Sequence, residues 1–169
     1  ASVMKWQEVK VGKPKKGEVR LRQTAVGLNY IDVYHRMGLY PMPMPLIIGM
    51  EGAGVVEALG AGVTDLNLGD RVAYAAPPLG AYAEERLMPA ASLVKVPKAI
   101  DDQTAATMML QGMTVHYLLH STYKVQKGDT ILVHAAAGGI GLIMCQWAKH
   151  LGATVIGTVG SKKKGDLAR

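Results

Sequence analysis

The chain has 169 residues, of which 49% are apolar and 19% charged, a composition that supports a folded core and excludes a disordered, charge-dominated chain. Its net charge is +6, and the lysines at 162–164 contribute half of that excess without the interleaved aromatic residues typical of single-strand nucleic-acid binders. No apolar run is long enough for a membrane span, no signal peptide is visible and Cys145 is the single cysteine, so we expect a cytoplasmic protein that binds neither membranes nor nucleic acid.

The first hundred residues predict short strands separated by turns. Residues 18–26 alternate in polarity roughly with period two, and residues 52–59 form a β-rich run that ends at a glycine turn. Three prolines within residues 41–45 exclude a helix there and favour an extended loop. The remaining predicted strands cover residues 71–75, 81–88 and 93–96. This spacing indicates a compact, mostly antiparallel β domain.

The periodicity changes near residue 101. Asp101 or Asp102 can cap a helix that runs to about Tyr123. Its predicted inward positions are Ala105, Met108, Met109, Gly112, Met113 and Leu119. A short strand, a small-residue loop, a helix and a second strand follow, at residues 130–134, 135–141, up to about Leu151, and 153–158. That order predicts one βαβ unit, and hence an α/β chain with a β-rich N-terminal part.

The loop at residues 135–141 is typical of a dinucleotide-binding site. Against the pattern G-x-G-x-x-G, Ala136 takes the first position, Gly138 the second and Gly141 the third. Gly138 would let the backbone approach a pyrophosphate, Gly141 would let the helix pack on the strand, and the start of the helix would offer N–H groups to the anion. A plain tight turn is the alternative, but the flanking strand–helix–strand order favours the cofactor site.

The residues after the second strand of this unit favour NADP(H) over NAD(H). An NAD site places Asp or Glu about 20 residues past the loop, on the ribose 2′-hydroxyl. Here a glycine, a serine and three lysines occupy residues 160–164, and the first carboxylate is Asp166. The hydroxyl of Ser161 and the charge of Lys164 suit a 2′-phosphate, with Gly160 beside them. A solvated lysine run is the alternative interpretation.

Six stretches, taken together, give the sequence a family resemblance. It resembles the zinc-independent quinone oxidoreductases, the zeta-crystallin-like branch of the medium-chain dehydrogenase/reductases. The stretches follow the family's order at residues 27–34, 49–56, 69–72, 80–85, 111–114 and 134–141. The resemblance implies a GroES-like catalytic domain over residues 1–124, lacking its first hairpin, and the start of a Rossmann NADP-binding domain over residues 125–169. Two of about six Rossmann strands are present, so we expect a fragment of a longer, homodimeric protein.

The resemblance also implies an activity and a set of site residues. The activity is NADPH-dependent hydride transfer, without a metal, to a quinone or another small activated carbonyl compound. Asn29 and Tyr34 would line the nicotinamide and substrate cleft, and Thr114 would lie near the nicotinamide. The implied cofactor contacts are Gly138, Gly139, Ile140 and Gly141 on the pyrophosphate and Gly160, Ser161 and Lys164 on the adenosine phosphate. The tyrosines at 30, 34 and 40 would either face a flat substrate or serve in packing.

The metal positions of zinc-dependent relatives fall here on Asn29, Met50 and Leu110. None of these is a usual zinc ligand, so no metal is expected. Glu51, next to Met50, is therefore expected to hold a structural hydrogen bond and not to act as an acid or base.

Three other titratable features are expected to be structural. His116 and His120, spaced i and i+4, lack a third ligand and are expected to be a solvated or hydrogen-bonded pair. Asp32 and Arg36 have the same spacing and are expected to form a local ion pair. His134, which closes the strand before the glycine loop, is expected to pack against its neighbours.

Two other functions stay open. A neighbouring variant within the same superfamily reduces enones or enoyl thioesters with NADPH, and the sequence separates it poorly from a quinone reductase. A non-catalytic role is the other class of function, for example a crystallin-like or RNA-binding use of the fold. The basic charge permits that role, but no recognition motif supports it.

Overall fold

A computed structural model describes residues 3–169. The chain divides into two compact units, of which the first ends at Thr107 and the second covers Met108–Arg169. The predicted domain boundary between residues 124 and 125 concerns family domains and stays a prediction. Over the described residues, every helix is too short or too polar to cross a membrane.

The first unit is built on a five-stranded antiparallel sheet. The order across the sheet is β4-β1-β2-β3-β5, and β1 pairs with both β2 and β4. This architecture confirms the predicted antiparallel β domain. In chain order the strands are β1 (Glu18–Gly27), β2 (Glu51–Leu59), β3 (Arg71–Ala75), β4 (Glu85–Pro89) and β5 (Val94–Lys95).

Alternating side chains of these strands make the core of the first unit. Val19 and Leu21 on β1 and Met88 on β4 are fully buried, because successive side chains of a strand point to opposite faces of the sheet. They pack with Val56 and Tyr74 in one apolar cluster. The period-two alternation in the sequence therefore marks the buried face correctly.

One predicted strand is too long. The prediction covered residues 81–88, whereas β4 begins at Glu85. The backbone N–H groups of Gly80 and Ala81 donate to the Gly49 carbonyl at 2.9 and 3.0 Å, and that of Tyr82 donates to the Ile48 carbonyl at 3.0 Å. These bonds hold residues 80–82 against the segment before β2, so the start of the predicted strand is an irregular turn.

Helix α1 (Tyr30–Met37) is missing from the sequence prediction. At its start the Asp32 carboxylate accepts a hydrogen bond from the Asn29 N–H at 2.9 Å, and at its end Gly38 adopts a left-handed φ of 76°. Eight residues form only about two turns, shorter than the window of about 11 to 18 residues over which helical periodicity is recognised. The acidic residue three positions after Asn29 and the terminal glycine are the signals that would have revealed it.

Helix α2 (Asp102–Tyr117) confirms the predicted long helix, and a π-helical turn over Leu118–Thr122 carries it to the predicted end. The predicted inward positions are partly wrong, because Met108 and Met113 are 43% and 46% exposed. Apolar residues occur all round this helix, so the pattern does not distinguish one face from another. The side chains on its buried positions are Ala105, Ala106, Val115 and, in the π-helical turn, Leu119.

The second unit contains the predicted βαβ arrangement. Strands β6 (Thr130–Val133) and β7 (Thr154–Gly157) pair in parallel, and helix α3 (Gly139–His150) connects them. A short helix that was not predicted, α4 (Lys162–Ala168), follows β7. The core of the unit is the buried cluster of Val115, Leu119, Val125 and Ala148.

Gly141 in α3 has no room for a side chain. Its Cβ would lie 2.7 Å from backbone atoms of Ala136 and closer still to the Ala135 carbonyl oxygen. We predict that Gly141→Ala lowers the free energy of unfolding by about 2 kcal/mol, because these backbone neighbours cannot move aside. Gly112→Ala is the matched control: its Cβ would meet nothing within 4 Å, so a gain of about 1 kcal/mol is expected in α2. Urea denaturation followed by circular dichroism measures both, and an unchanged stability of Gly141→Ala would contradict the account.

Candidate functional site

The loop after β6 is a tight backbone turn. Ala135 adopts a left-handed φ of 53°, and the Gly138 N–H donates to the Ala135 carbonyl at 2.7 Å. The Ala136 N–H donates to the Thr158 carbonyl at 3.0 Å, which fastens the loop to the end of β7. Gly138 is the N-cap of α3, so the N–H groups that follow it have no acceptor within the helix. The turn therefore directs the free N–H groups at the start of α3 toward the space beyond the end of β6.

The small residues of this loop are required by close backbone contacts. Gly141 approaches Ala135 and Ala136 as described above, which fits the packing role predicted for the third glycine of the motif. Ala136, at the position of the first glycine, is buried, and a Cβ on Gly157 would lie 2.7 Å from the Ala136 methyl group. The absent side chain of Gly157 on β7 thus leaves the room that the methyl group of Ala136 occupies.

Ser161 and Lys164 stand at the start of α4. The Ser161 hydroxyl oxygen accepts a hydrogen bond from the Lys164 N–H at 3.3 Å, so Ser161 is the N-cap of this helix. Its hydroxyl proton is left to donate elsewhere, and the side chain of Lys164 is exposed. The assignment of both residues, with Gly160, to an adenosine phosphate stays a prediction.

Two further residues of the second unit bear on the predicted site. The Thr114 hydroxyl donates to the Leu110 carbonyl at 2.7 Å within α2, so its proton is engaged by the helix backbone. The predicted packing of His134 is wrong: its ring is exposed, and its Nδ1 lies 2.9 Å from the Thr158 hydroxyl oxygen. The two side chains meet because β6 and β7 end side by side in the parallel pair.

In the first unit, Asn29 is held by a buried carboxylate. Its side-chain Nδ2 donates to Glu51 Oε2 at 2.6 Å, and the two residues are 7% and 0% exposed. A Cβ on Gly27 would lie 2.5 Å from Glu51 Oε2, so the glycine leaves room for that carboxylate. The hydrogen-bonding role expected of Glu51 is confirmed. Because Nδ2 of Asn29 donates to Glu51, the amide oxygen is the acceptor of this side chain.

Asp32 is the second buried carboxylate beside Asn29. Its Oδ2 accepts hydrogen bonds from the Asn29 N–H and from the Tyr82 hydroxyl, both at 2.9 Å. Burial, and then the adjacent Asp32 carboxylate, raise the pKa of Tyr82, so the phenol stays protonated and donates. Among residues 3–169, Asp32 and Arg36 form no ion pair, so this prediction is wrong. The Asp32 carboxylate turns instead toward the start of α1 and toward Tyr82.

Three tyrosines on and after α1 form one aromatic cluster. Tyr34 packs edge-to-face against Tyr30 and Tyr40, with ring centroids 5.1 and 5.4 Å apart. Tyr30 is 72% exposed and Tyr40 48% exposed, so both rings keep open faces. The cluster packs within itself and still offers aromatic surface, and its contact with a flat substrate stays a prediction.

The histidine pair of the second unit packs edge-to-face against a tryptophan. The rings of His116 and His120 are 4.9 Å apart, and Trp147 lies 5.8 and 5.5 Å from them. Within the described part of the chain, no three His, Cys, Asp or Glu side chains come together as metal ligands would. Burial raises the pKa of the Cys145 thiol, which disfavours its reactive thiolate form.

Sequence reasoning missed two polar residues of the first unit, the half-buried Tyr82 and the buried Arg86. The Arg86 guanidinium lies 5.0 Å from the centre of the Tyr74 ring, donates to the Tyr74 hydroxyl at 3.2 Å and donates to the Pro78 carbonyl at 2.5 Å. It thereby fixes the segment between β3 and β4. Strand alternation would have placed Arg86 on the buried face with Met88, but no local pattern reveals the partner of Tyr82.

Comparison with known proteins places this geometry among reductases. Residues 15–98 match the alcohol dehydrogenase GroES-like domain. A 2-haloacrylate reductase of a Burkholderia species is 56% identical over 171 residues, covering 97% of this chain and 51% of the relative. A quinone oxidoreductase of Pseudomonas aeruginosa is 52% identical over 168 residues, covering 99% of this chain and 52% of the relative.

A solved structure supports the same placement. The quinone oxidoreductase of Escherichia coli, crystallised with NADPH, superimposes with a TM-score of 0.93 at 45% identity, covering 96% of this chain and 50% of that one. This chain therefore spans about half the length of the curated relatives it matches. The similarity extends over both units, and it includes the GroES-like fold and the strand–loop–helix–strand arrangement.

A substitution that adds a charge tests the buried hydrogen bond between the Asn29 amide and the Glu51 carboxylate. We predict that Asn29→Asp lowers the free energy of unfolding by about 3 kcal/mol near neutral pH, because it sets two buried carboxylates at hydrogen-bond distance. One carboxyl of such a pair has a raised pKa in the folded state. The loss therefore shrinks as the pH falls through that raised value and the carboxyl gains a proton. Urea denaturation at several pH values measures the effect.

The double variant Asn29→Asp, Glu51→Gln is the control for this prediction. It restores one amide and one carboxylate in exchanged positions, so it should recover a large part of the stability near neutral pH. A double variant no more stable than Asn29→Asp would show that the pair does not depend on its charge arrangement.

Proposed function

Since this chain belongs to the quinone oxidoreductases of the medium-chain dehydrogenase/reductase superfamily, we propose that the protein of which it forms a part reduces a quinone with NADPH. The observation that carries the proposal is the glycine loop between β6 and α3, in a chain whose fold matches a quinone oxidoreductase crystallised with NADPH. In the reaction, a hydride and a proton convert the quinone to a hydroquinone. The residues of this chain bind and orient the two reactants.

The residues of the loop fit the phosphates of a dinucleotide. Residues 135–139 are alanines and glycines, so the loop itself places nothing larger than a methyl group before the N–H groups that begin α3, although the Gln111 side chain of α2 lies beside Gly139. An anion could approach those donors closely. We assign the pyrophosphate to Gly138, Gly139, Ile140 and Gly141. Bound NADPH would supply the hydride, and the loop would fix its position.

The first unit would supply the substrate side of the reaction. Asn29 presents its amide oxygen because Glu51 takes the donor side, and this acceptor suits a carboxamide N–H or a hydroxyl group. Tyr34 and the neighbouring tyrosines offer aromatic faces to a flat ring. We place Thr114 near the nicotinamide. A cytoplasmic location and a homodimer of the whole protein stay predictions.

A second candidate function is the reduction of an activated carbon–carbon double bond. A specific observation favours it: the 2-haloacrylate reductase is 56% identical to this chain, slightly more than the Pseudomonas quinone oxidoreductase at 52%. The same hydride donor serves both reactions, and both need a substrate conjugated to an electron-withdrawing carbonyl or carboxyl group. Enones and 2-haloacrylates are the substrate classes of this alternative.

The two candidates can be separated by comparing the rates of NADPH oxidation with different substrates. We predict that the full-length protein containing this chain oxidises NADPH faster with benzoquinone than with an enone or a 2-haloacrylate. Steady-state rates of NADPH consumption measure this directly. Faster consumption with a 2-haloacrylate would favour the second candidate, and no consumption with any of the three would contradict both.

The cofactor preference should depend on Lys164. We predict that Lys164→Ala weakens NADPH binding about tenfold and leaves NADH binding unchanged, because only NADPH carries the 2′-phosphate that the lysine would meet. Fluorescence titration of the full-length protein with each coenzyme measures the two affinities. Lys124→Ala removes the same charge from another exposed position and is the control. Equal weakening by both variants, or of both coenzymes, would contradict the assignment.

A further inference from the structure

We propose that Tyr82 is a positioning residue of the reductase site, and that it acts by fixing Asp32 and, through Asp32, the conformation of Asn29. The inference rests on the proposed function because it assigns Asn29 to the reaction cleft. Tyr82 is outside the residues that the sequence pattern assigned to the site. It is identified by contacts between three segments that are distant in sequence: the turn before β4, the segment before β2 and the start of α1.

The Tyr82 ring is held in place before its hydroxyl makes any contact. Its backbone N–H donates to the Ile48 carbonyl at 3.0 Å. A Cβ on Gly49 would lie 2.6 Å from the Tyr82 Cδ1 atom, so the ring packs directly on the glycine backbone, which has a φ of 102°. These contacts set the direction of the hydroxyl toward α1.

The hydroxyl then supplies one of two hydrogen bonds that orient Asp32. Both bonds reach Oδ2, one from Tyr82 and one from the Asn29 N–H. The other oxygen, Oδ1, is buried and has no hydrogen-bond partner among residues 3–169. Asp32 is 2% exposed, so water is not at hand to replace a lost donor. Without the Tyr82 hydroxyl, the Asn29 N–H is the one hydrogen-bond donor that the described part of the chain still provides to this carboxylate.

A change at Asp32 would affect the proposed reaction through Asn29. Its backbone is tied to Asp32, and its side chain is tied to Glu51 at 2.6 Å. The two bonds together determine where the amide oxygen of Asn29 points. Loss of the first would let the start of α1 shift, and hydride transfer is sensitive to small displacements of the reacting groups. The Tyr82 hydroxyl thus orders the reactive geometry without touching a reactant.

The test compares Tyr82→Phe with Tyr74→Phe in the full-length protein. Tyr74 is buried in the first unit, whereas Tyr82 is half-buried, and the Tyr74 hydroxyl hydrogen-bonds to Gln23 and Arg86 instead of Asp32. Each variant loses one hydroxyl that hydrogen-bonds within the first unit, so a purely structural role predicts a consequence at least as large for Tyr74→Phe. We expect Tyr82→Phe to lower kcat with benzoquinone about tenfold and to leave the KM for NADPH unchanged, whereas Tyr74→Phe retains kcat within about twofold.

A second measurement does not depend on the reaction. Hydrogen exchange at residues 29–37 should quicken in Tyr82→Phe and stay unchanged in Tyr74→Phe, because only Tyr82 bonds to Asp32. Equal kcat values for the two variants, or unchanged exchange in Tyr82→Phe, would overturn the inference. If the parent protein reduces no quinone, the proposed function fails, and the exchange measurement still decides whether Tyr82 orders the start of α1.

Discussion

A buried hydrogen bond between a neutral amide and a carboxylate is the contact on which the first unit's site depends. Asn29 Nδ2 lies 2.6 Å from Glu51 Oε2, and neither residue has appreciable exposure. A buried carboxylate requires such donors, because an unpaired charge in an apolar interior is costly. Two neighbouring residues support this hydrogen bond. Gly27 leaves room for the Glu51 carboxylate, and Asp32 accepts a hydrogen bond from the Asn29 backbone. Under the proposed function, the amide oxygen of Asn29 is the acceptor that this side chain would offer to a ligand.

In the second unit, the groups of the glycine loop that could contact a ligand are backbone N–H groups. Its glycine loop brings the start of α3 close to the end of β6, and the contact between Ala136 and Gly157 shows how an alanine replaces the first glycine of the motif. The loop therefore offers N–H donors that none of its own side chains covers. Under the proposed function, the side chains of the first unit would orient a substrate and the backbone donors of the second unit would bind the anionic part of the coenzyme.

Local patterns predicted the elements better than they predicted their contacts. The strands of the sheet and the βαβ order follow from alternation and glycine turns, which act within a few residues. Helix α1 was missed because its eight residues carry caps but no long stripe, and Met108 and Met113 were placed inward because α2 is apolar on all sides. Tyr82 and Arg86 could not be assigned, since their partners lie on other segments and pairing across the fold leaves no local signature.

The proposed hydride transfer needs no metal at Asn29 and Glu51. The amide donates to the carboxylate here, so the pair is satisfied without an ion between its two members. The most direct measurement is the rate of NADPH-dependent quinone reduction by the full-length protein before and after exhaustive removal of metals by a chelator. We expect the rates before and after removal of metals to be equal. A rate that collapses after chelation and returns when zinc is added would contradict it.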